Sequence, residues 1–165
     1  MKFLEIGSII KTNALLSRLQ AFDPRRSLEI EAYSCKQTRE QKKHKTIPKP
    51  LRFYVSALEL AFPYYDFSTM TKESFRNISH GMLKNELSFV FFTMYKNHED
   101  VEEFVSYLDA LLEQCVDVKR AQFFIVEDNM LDDLDFHRIF MVYDKRKRRV
   151  LIIKSILEKE AEVAQ

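Results

Sequence analysis

Three segments rich in β-branched and aromatic residues follow one another in the second half of the chain, at Gln122–Val126, Phe136–Tyr143 and Arg149–Ile153. Such residues favour β-strands. The charged run between the last two segments is short enough for a hairpin, which joins antiparallel neighbours. From Leu28, apolar and polar residues also alternate, as is typical of a strand buried on one face. The chain therefore predicts a mainly antiparallel sheet.

Apolar residues recur at helical spacing in four other stretches, which begin at Ile9, Leu51, Leu83 and Val101. Ser8 precedes the first stretch and offers its hydroxyl as an N-cap. Helices and strands in this order predict an α/β fold of the α+β type. We expect a central, mainly antiparallel β-sheet of about four or five strands, packed with several helices.

The length of 165 residues and the hydrophobic content of 46% suit a single globular domain over residues 1–165. Residues 36–50 interrupt it, because they are rich in Lys and Arg, contain Pro48 and Pro50 and have no apolar periodicity. We interpret residues 36–50 as a basic, mobile linker within the domain. Since such a segment buries little apolar surface, we expect it to be dispensable for folding.

Composition argues against several classes of protein. Lys and Arg exceed Asp and Glu by 26 to 25, so no overall field attracts nucleic acid or a membrane surface. Two glycines are too few for phosphate-cradling loops, the four histidines are scattered, and the two cysteines suggest a reducing compartment. No apolar run reaches the ~20 residues of a membrane span. We expect no catalytic, metal or cofactor site, no membrane contact, and a nuclear and cytoplasmic location.

Three short segments are the most distinctive feature of the chain, and we call them the first, second and third box. They are Ile30–Lys36, Tyr64–Ser68 and Tyr143–Val150. Each has a structural interpretation that needs no ligand. Cys35 suits a small buried residue, Phe67 suits the core, and the Asp66 carboxylate can accept backbone amides in a turn. A nucleophilic role for Cys35 is disfavoured because no activating base accompanies it.

The third box contains five consecutive cations, Lys145 to Arg149, which cannot neutralise one another. Either they form a solvated hairpin tip or they bind an acidic partner, and the sequence leaves both open. Strand alternation would place Lys145, Lys147 and Arg149 on one side and the remaining two on the other. Such a stripe is narrow, and no bank of exposed aromatic residues accompanies it, so a protein contact is favoured over a nucleic-acid module.

In order and content the three boxes resemble those of the Maf-one family, the eukaryotic global repressor of RNA polymerase III transcription. The family's boxes centre on Tyr-Ser-Cys-Lys, Tyr-Asp-Phe-Ser and a basic hairpin of the Tyr-Asn-Lys-Arg type. The opening Met1–Glu5 and the apolar stretches extend the resemblance over nearly the whole chain. The Trp usual in the third box is missing, and the linker is short.

The resemblance implies a repressor, not an enzyme, that binds RNA polymerase III directly near the clamp of its largest subunit. It would occlude engagement with the promoter-bound initiation factor, and a contact with that factor is a further expectation. We expect a monomer with weak or absent direct nucleic-acid binding; the alternative is a nucleic-acid-binding adaptor that uses the linker and hairpin. Ser27 and Ser79 loosely suit a basic-directed kinase. The residues carried over as partner-binding candidates are Tyr33, Ser34, Cys35, Lys36, Tyr65, Asp66, Phe67, Ser68, Tyr143, Lys145, Arg146, Arg148 and Arg149.

Overall fold

The structure is a computed structural model, and it describes residues 1–20, 25–36, 39, 47–94, 98–127, 131 and 133–160. Six strands form one sheet in the order β1-β2-β6-β5-β4-β3, and every neighbouring pair is antiparallel. The strands are β1 (Lys2–Phe3), β2 (Arg26–Ser34), β3 (Phe75–Ile78), β4 (Gln122–Val126), β5 (Leu134–Asp144) and β6 (Arg149–Glu158). The helices are α1 (Gly7–Gln20), α2 (Lys49–Ala61), α3 (His80–Met94) and α4 (His98–Cys115), with a 3₁₀ turn at Lys72–Ser74.

The α+β class is confirmed, but the sheet has six strands where four or five were expected. The two additional strands, β1 and β3, lie at the edges of the sheet. β1 has two residues and β3 has four, which is too short for a period-two pattern to stand out. Their pairing depends on the neighbouring long strands, so it is decided by tertiary contacts.

One face of the sheet is covered by α1, α3 and α4. Apolar residues at helical spacing on α4, such as Phe104, Leu108 and Leu112, meet strand residues such as Ile30 and Phe140 in one buried cluster. Their side chains are fully buried, so the amphipathic faces of the helices supply this half of the core. The ring of Phe104 also stacks on Phe91 of α3, with 4.2 Å between ring centroids.

The opposite face is covered by α2 and the second box, so β2 is partly buried on its second face as well, where its alternation suggested burial on one face only. Glu29 and Glu31 point to this second face, where the ammonium of Lys154 lies 3.5 Å and 2.9 Å from their carboxylates. Lys154 also donates to the Ala61 carbonyl and lies 5.2 Å from the Phe62 ring centroid. The pairing allows charged residues to occupy the interior of a covered sheet face.

Three local details differ from the expectations or fall outside the structure. Helix α1 begins at Gly7, so Ser8 is already inside it, and the Ser8 hydroxyl lies 3.7 Å from the Cys115 sulfur instead of capping the helix. Lys49 and Pro50, assigned to the linker, form the first turn of α2, where proline is tolerated because its missing N–H needs no partner. Residues 37–38 and 40–46 of the linker lie outside the described residues. None of the helices described is long and apolar enough to cross a membrane.

Candidate functional site

The first and third boxes meet at one end of the sheet. Ser34 at the end of β2 is paired with Arg149 at the start of β6, and Val150 lies between Tyr33 and Tyr143 on the two neighbouring strands. The backbone N–H of Cys35 donates to the Arg148 carbonyl at 2.9 Å. Two segments more than one hundred residues apart therefore form one continuous surface.

Most of the first box is interior. The Tyr33 hydroxyl donates to the Glu31 carboxylate, and burial, together with this hydrogen bond, raises the pKa of Tyr33. Cys35 is only 8% exposed, and burial raises the pKa of its thiol to about 11. Such a thiol is almost wholly protonated at neutral pH, so Cys35 is a packing residue and a poor nucleophile. Ser34 is half-buried, and Lys36 is exposed.

The hairpin of the third box is held from inside by Asp144, whose side chain is 1% exposed. Its carboxylate accepts hydrogen bonds from the backbone N–H of Lys147 at 2.9 Å and of Asp117 at 2.7 Å. Burial opposes ionisation of Asp144, but these backbone hydrogen bonds and the nearby Lys147 charge outweigh it and hold the pKa below its usual value. Asp144 thus joins the hairpin to the turn that follows α4.

The five cations of the hairpin do not alternate between two sides, as they would in a continuous strand. Residues 145–148 form a four-residue turn and are all exposed, with Arg148 in the left-handed region at φ 54°. The Arg149 guanidinium points the other way and donates to the Cys115 carbonyl at 2.9 Å. Cationic donors suit this position, because the last carbonyls of a helix lack partners within it. Arg149 is therefore engaged within the fold, and Tyr143 beside it is buried.

The second box lies at the other end of the sheet. The Tyr65 hydroxyl donates to the Asp133 carboxylate at 2.8 and 2.9 Å, next to the start of β5. Burial and this carboxylate raise the pKa of Tyr65. From Arg149, paired with Asp144, to Glu158, paired with Leu134, β6 advances nine residues, which is about 30 Å at about 3.3 Å per residue. The structure brings two of the boxes together and leaves the second one apart.

Within the second box, the structural interpretation is confirmed. Phe67 is 0% exposed and packs against Phe62, with 6.0 Å between ring centroids. The Asp66 carboxylate accepts the backbone N–H of Ser68 at 2.9 Å, and hydrogen bonds from Ser68 lower the pKa of Asp66. Tyr64 is 96% exposed, although nothing in the local sequence distinguishes it from Tyr65. Only the turn after α2 decides which of the two rings faces solvent.

The two candidate phosphorylation sites lie in ordered backbone. Ser27 is half-buried in β2, opposite Ile156. The Ser79 hydroxyl accepts the Met82 N–H at 3.0 Å and so caps the start of α3. Phosphorylation at either serine stays a prediction.

Sequence reasoning missed a group of cations that the fold adds to the hairpin. Lys2 is opposite Ser34, and Lys36 follows Cys35. Lys119 and Arg120 lie in the turn that Asp144 joins to the hairpin, immediately before β4. All four are exposed at the same end of the sheet as the hairpin turn. We call the combined set the basic row, and its members are Lys2, Lys36, Lys119, Arg120, Lys145, Arg146, Lys147 and Arg148.

Among the residues that the structure covers, no group of three or more His, Cys, Asp or Glu side chains is arranged to hold a metal ion. The two ends of the sheet differ in the side chains that they expose. One end presents exposed cations on a hairpin, and the other presents Tyr64 beside Asp66.

No family model matches the chain. Two uncharacterized proteins of Encephalitozoon cuniculi are each 37% identical to it over 161 residues, which cover 96% of this chain and 99% of theirs. Two crystal structures of citrus MAF1 superpose with TM-scores of 0.71 and 0.66, at 22% and 20% identity. They cover 92% and 90% of this chain and 99% and 97% of the MAF1 chains. The chain therefore belongs to the same family as the two Encephalitozoon cuniculi proteins, and its fold is that of MAF1, as the resemblance to the Maf-one family predicts.

Proposed function

We propose that this protein is a negative regulator of RNA polymerase III transcription and a member of the Maf-one family. The observation that carries the proposal is the MAF1 fold over 92% of the chain, since the three boxes that suggested the family lie within that same fold. The protein would bind the polymerase directly, near the clamp of its largest subunit. Repression would follow because the bound protein blocks engagement with the promoter-bound initiation factor.

The structure sorts the box residues into two groups for this purpose. Tyr33, Cys35, Phe67, Tyr143 and Arg149 are buried or engaged within the fold, so changing them alters the domain before it alters a contact. The exposed members are the candidates for contact with the polymerase. They are Lys36, Asp66, Ser68, Lys145, Arg146 and Arg148, to which two further exposed residues of the boxes, Tyr64 and Lys147, are added.

The size of the domain is compatible with occlusion. The exposed candidates lie at two ends of the sheet about 30 Å apart. A standard protein interface buries about 800 Å² on each partner, which a surface of this length can supply. Aromatic side chains such as Tyr64 are common anchors at such interfaces, whereas charges such as Lys145 and Arg146 mainly guide association. Blocking by contact needs no chemical step.

Order of addition in a purified transcription system tests the proposal. Added to free polymerase III, the protein should inhibit transcription of transfer-RNA-type genes. Added after polymerase has assembled on the promoter-bound initiation factor, it should inhibit much less, because the contested surface is already occupied. Polymerase II transcription is the control. Equal repression of both polymerases, or no retention on polymerase III at low salt, would refute the proposal.

A charge reversal tests the contribution of the hairpin separately. The variant Lys145→Glu, Arg146→Glu, Arg148→Glu leaves Arg149 in place, because the Arg149 guanidinium is bonded to the end of α4. A matched control reverses three exposed cations elsewhere, Lys11, Arg18 and Lys72. Weaker retention of the hairpin variant alone would support charge complementarity with the polymerase. If polymerase III retains both variants equally, the hairpin is not part of the contact. The next variant to test is then Tyr64→Ala at the other end of the sheet.

Such a repressor acts where the polymerase is, so we expect nuclear as well as cytoplasmic protein and a monomer in solution. Under the alternative, a nucleic-acid-binding adaptor, the protein would bind nucleic acid in the absence of polymerase. Its strongest support is the basic row, whose properties do not depend on the repressor proposal.

A further inference from the structure

The basic row crosses most of the sheet at one end. Its members come from β1, the end of β2, the β5–β6 turn and the turn before β4, which are successive positions across five strands of the sheet. Strands lie about 4.8 Å apart, so the row is about 19 Å long. Lys36 and Lys119 flank the hairpin on its two sides.

Few carboxylates offset these eight charges. Among the described residues, those at or near this end are Glu5, Asp144, Asp117 and Glu113 in the last turn of α4. Asp144 is occupied by backbone amides, and the Asp117 carboxylate lies 3.8 Å from the Arg120 guanidinium. Even if all four carboxylates are counted, four positive charges remain in excess. A cluster of like charges of this size raises the local positive potential, which attracts anions.

Two arginines outside the row have carboxylate partners instead. The Arg76 guanidinium lies 2.6 Å from the Glu127 carboxylate, and that of Arg25 lies 3.5 Å from Glu160. The net charge of +1 therefore conceals an uneven distribution between the two ends of the sheet.

The row is also held in a fixed arrangement. Asp144 joins the hairpin to the turn before β4, Arg149 joins it to the end of α4, and Cys35 donates to the Arg148 carbonyl. The backbone that presents the cations is thereby set before any partner arrives, which lowers the entropy cost of binding.

We propose that the basic row binds the phosphate backbone of a nucleic-acid duplex, without reading its bases. On each strand of a duplex one phosphate occurs about every 3.4 Å of helix axis, so a row about 19 Å long spans the axial length of about five of them. Single strands fit less well, because their binding relies on several exposed rings. Among the described side chains, Phe3 is the exposed ring beside the row, and it packs edge-on against Tyr33 at 5.7 Å.

This inference departs from the expectation of weak or absent nucleic-acid binding, which rested on the net charge of +1, the narrow stripe of the hairpin and the lack of exposed aromatic residues beside it. The hairpin offers a stripe of four exposed cations, whereas the fold adds four more from outside it. The site acts on bare duplex, so its test does not involve the polymerase.

The test is binding of the full chain to a fluorescent 20-base-pair DNA duplex between 50 and 200 mM NaCl. With about five phosphate contacts, the slope of log affinity against log salt should be about −4.5, which is about a 500-fold loss over this range. Two double variants remove two charges each from the row, Lys145→Gln with Arg146→Gln inside the hairpin and Lys36→Gln with Lys119→Gln outside it. The matched control is Arg18→Gln with Lys72→Gln, which removes two exposed cations elsewhere.

Each row variant should make the slope shallower by about 1.8 while the control leaves it unchanged, since each lost contact removes about 0.9. Thermal unfolding of all three variants should match that of the parent, because every changed side chain is exposed. If Lys36→Gln with Lys119→Gln behaves like the control, the site is confined to the hairpin and the row is refuted. Absence of duplex binding at 50 mM NaCl also refutes the inference, and loss of polymerase retention in the same variants would then assign the surface to an acidic protein.

Discussion

Replacing Phe67 with alanine should cost the fold a large part of its stability. A buried aromatic side chain removes about 150–250 Å² from water, which at about 25 cal/mol per Å² is roughly 4–6 kcal/mol. Alanine retains a small part of this, and the cavity beside Phe62 adds to the loss. We therefore expect Phe67→Ala to lower the free energy of unfolding by about 3–5 kcal/mol, within the usual range for buried aromatics.

The neighbouring Tyr64 supplies the control, because it belongs to the same box and is 96% exposed. Tyr64→Ala should change the free energy of unfolding by less than about 0.5 kcal/mol. Urea unfolding measures both variants, and thermal unfolding of Phe67→Ala should show a midpoint lower by roughly 6–20 °C for a chain of this size.

The two variants should also separate in function. Tyr64→Ala should retain the fold and weaken retention on polymerase III, whereas any loss in Phe67→Ala should follow its loss of folded protein. If Phe67→Ala unfolds like the parent yet fails to bind the polymerase, the second box is an exposed contact and the packing argument is wrong.

Three further outcomes test the interior of the domain. Asp144→Ala should lower the free energy of unfolding by about 2–4 kcal/mol at pH 7, because buried amides lose their acceptor. The pKa of Asp144 is depressed in the folded state, so its contribution to the free energy of unfolding is fully present above the ordinary carboxyl pKa of about 3.9. This contribution is lost as pH falls through the folded pKa, so the free energies of unfolding of parent and variant, measured in urea, should become equal in acid. Lys154→Met should lower the free energy of unfolding by about 3 kcal/mol, because it leaves two glutamates without their partner. Glu29→Gln should lower it by less than about 1 kcal/mol, because the Glu29 carboxylate is half exposed. Equal losses for the two variants in urea unfolding would contradict this pairing. Cys35 should react with a thiol reagent at pH 8 only after urea denaturation, because burial raises its pKa to about 11, and rapid labelling of the folded protein would contradict its burial.

Local patterns were enough to predict most elements of this fold. The alternation in β2 and the runs in β4, β5 and β6 follow from the two-residue period of a strand, and the helices follow from a period of 3.6. The burial of Phe67 and the Asp66 turn could also be anticipated, because a large apolar ring favours the core and an aspartate in a turn accepts nearby backbone amides. Strands β1 and β3 could not be predicted, because two and four residues are too few to show a two-residue period.

The contacts between segments far apart in the chain could not be predicted from the sequence. The pairing of Ser34 with Arg149 and the hydrogen bond from Asp117 to Asp144 connect positions far apart in the chain, and only sheet order makes them neighbours. The same contacts turn one basic hairpin into a row of eight cations while committing Arg149 to the end of a helix. Composition and periodicity report what each segment can bury. Which charges end side by side is decided by strand register, because register is a property of pairs of segments and not of either one alone.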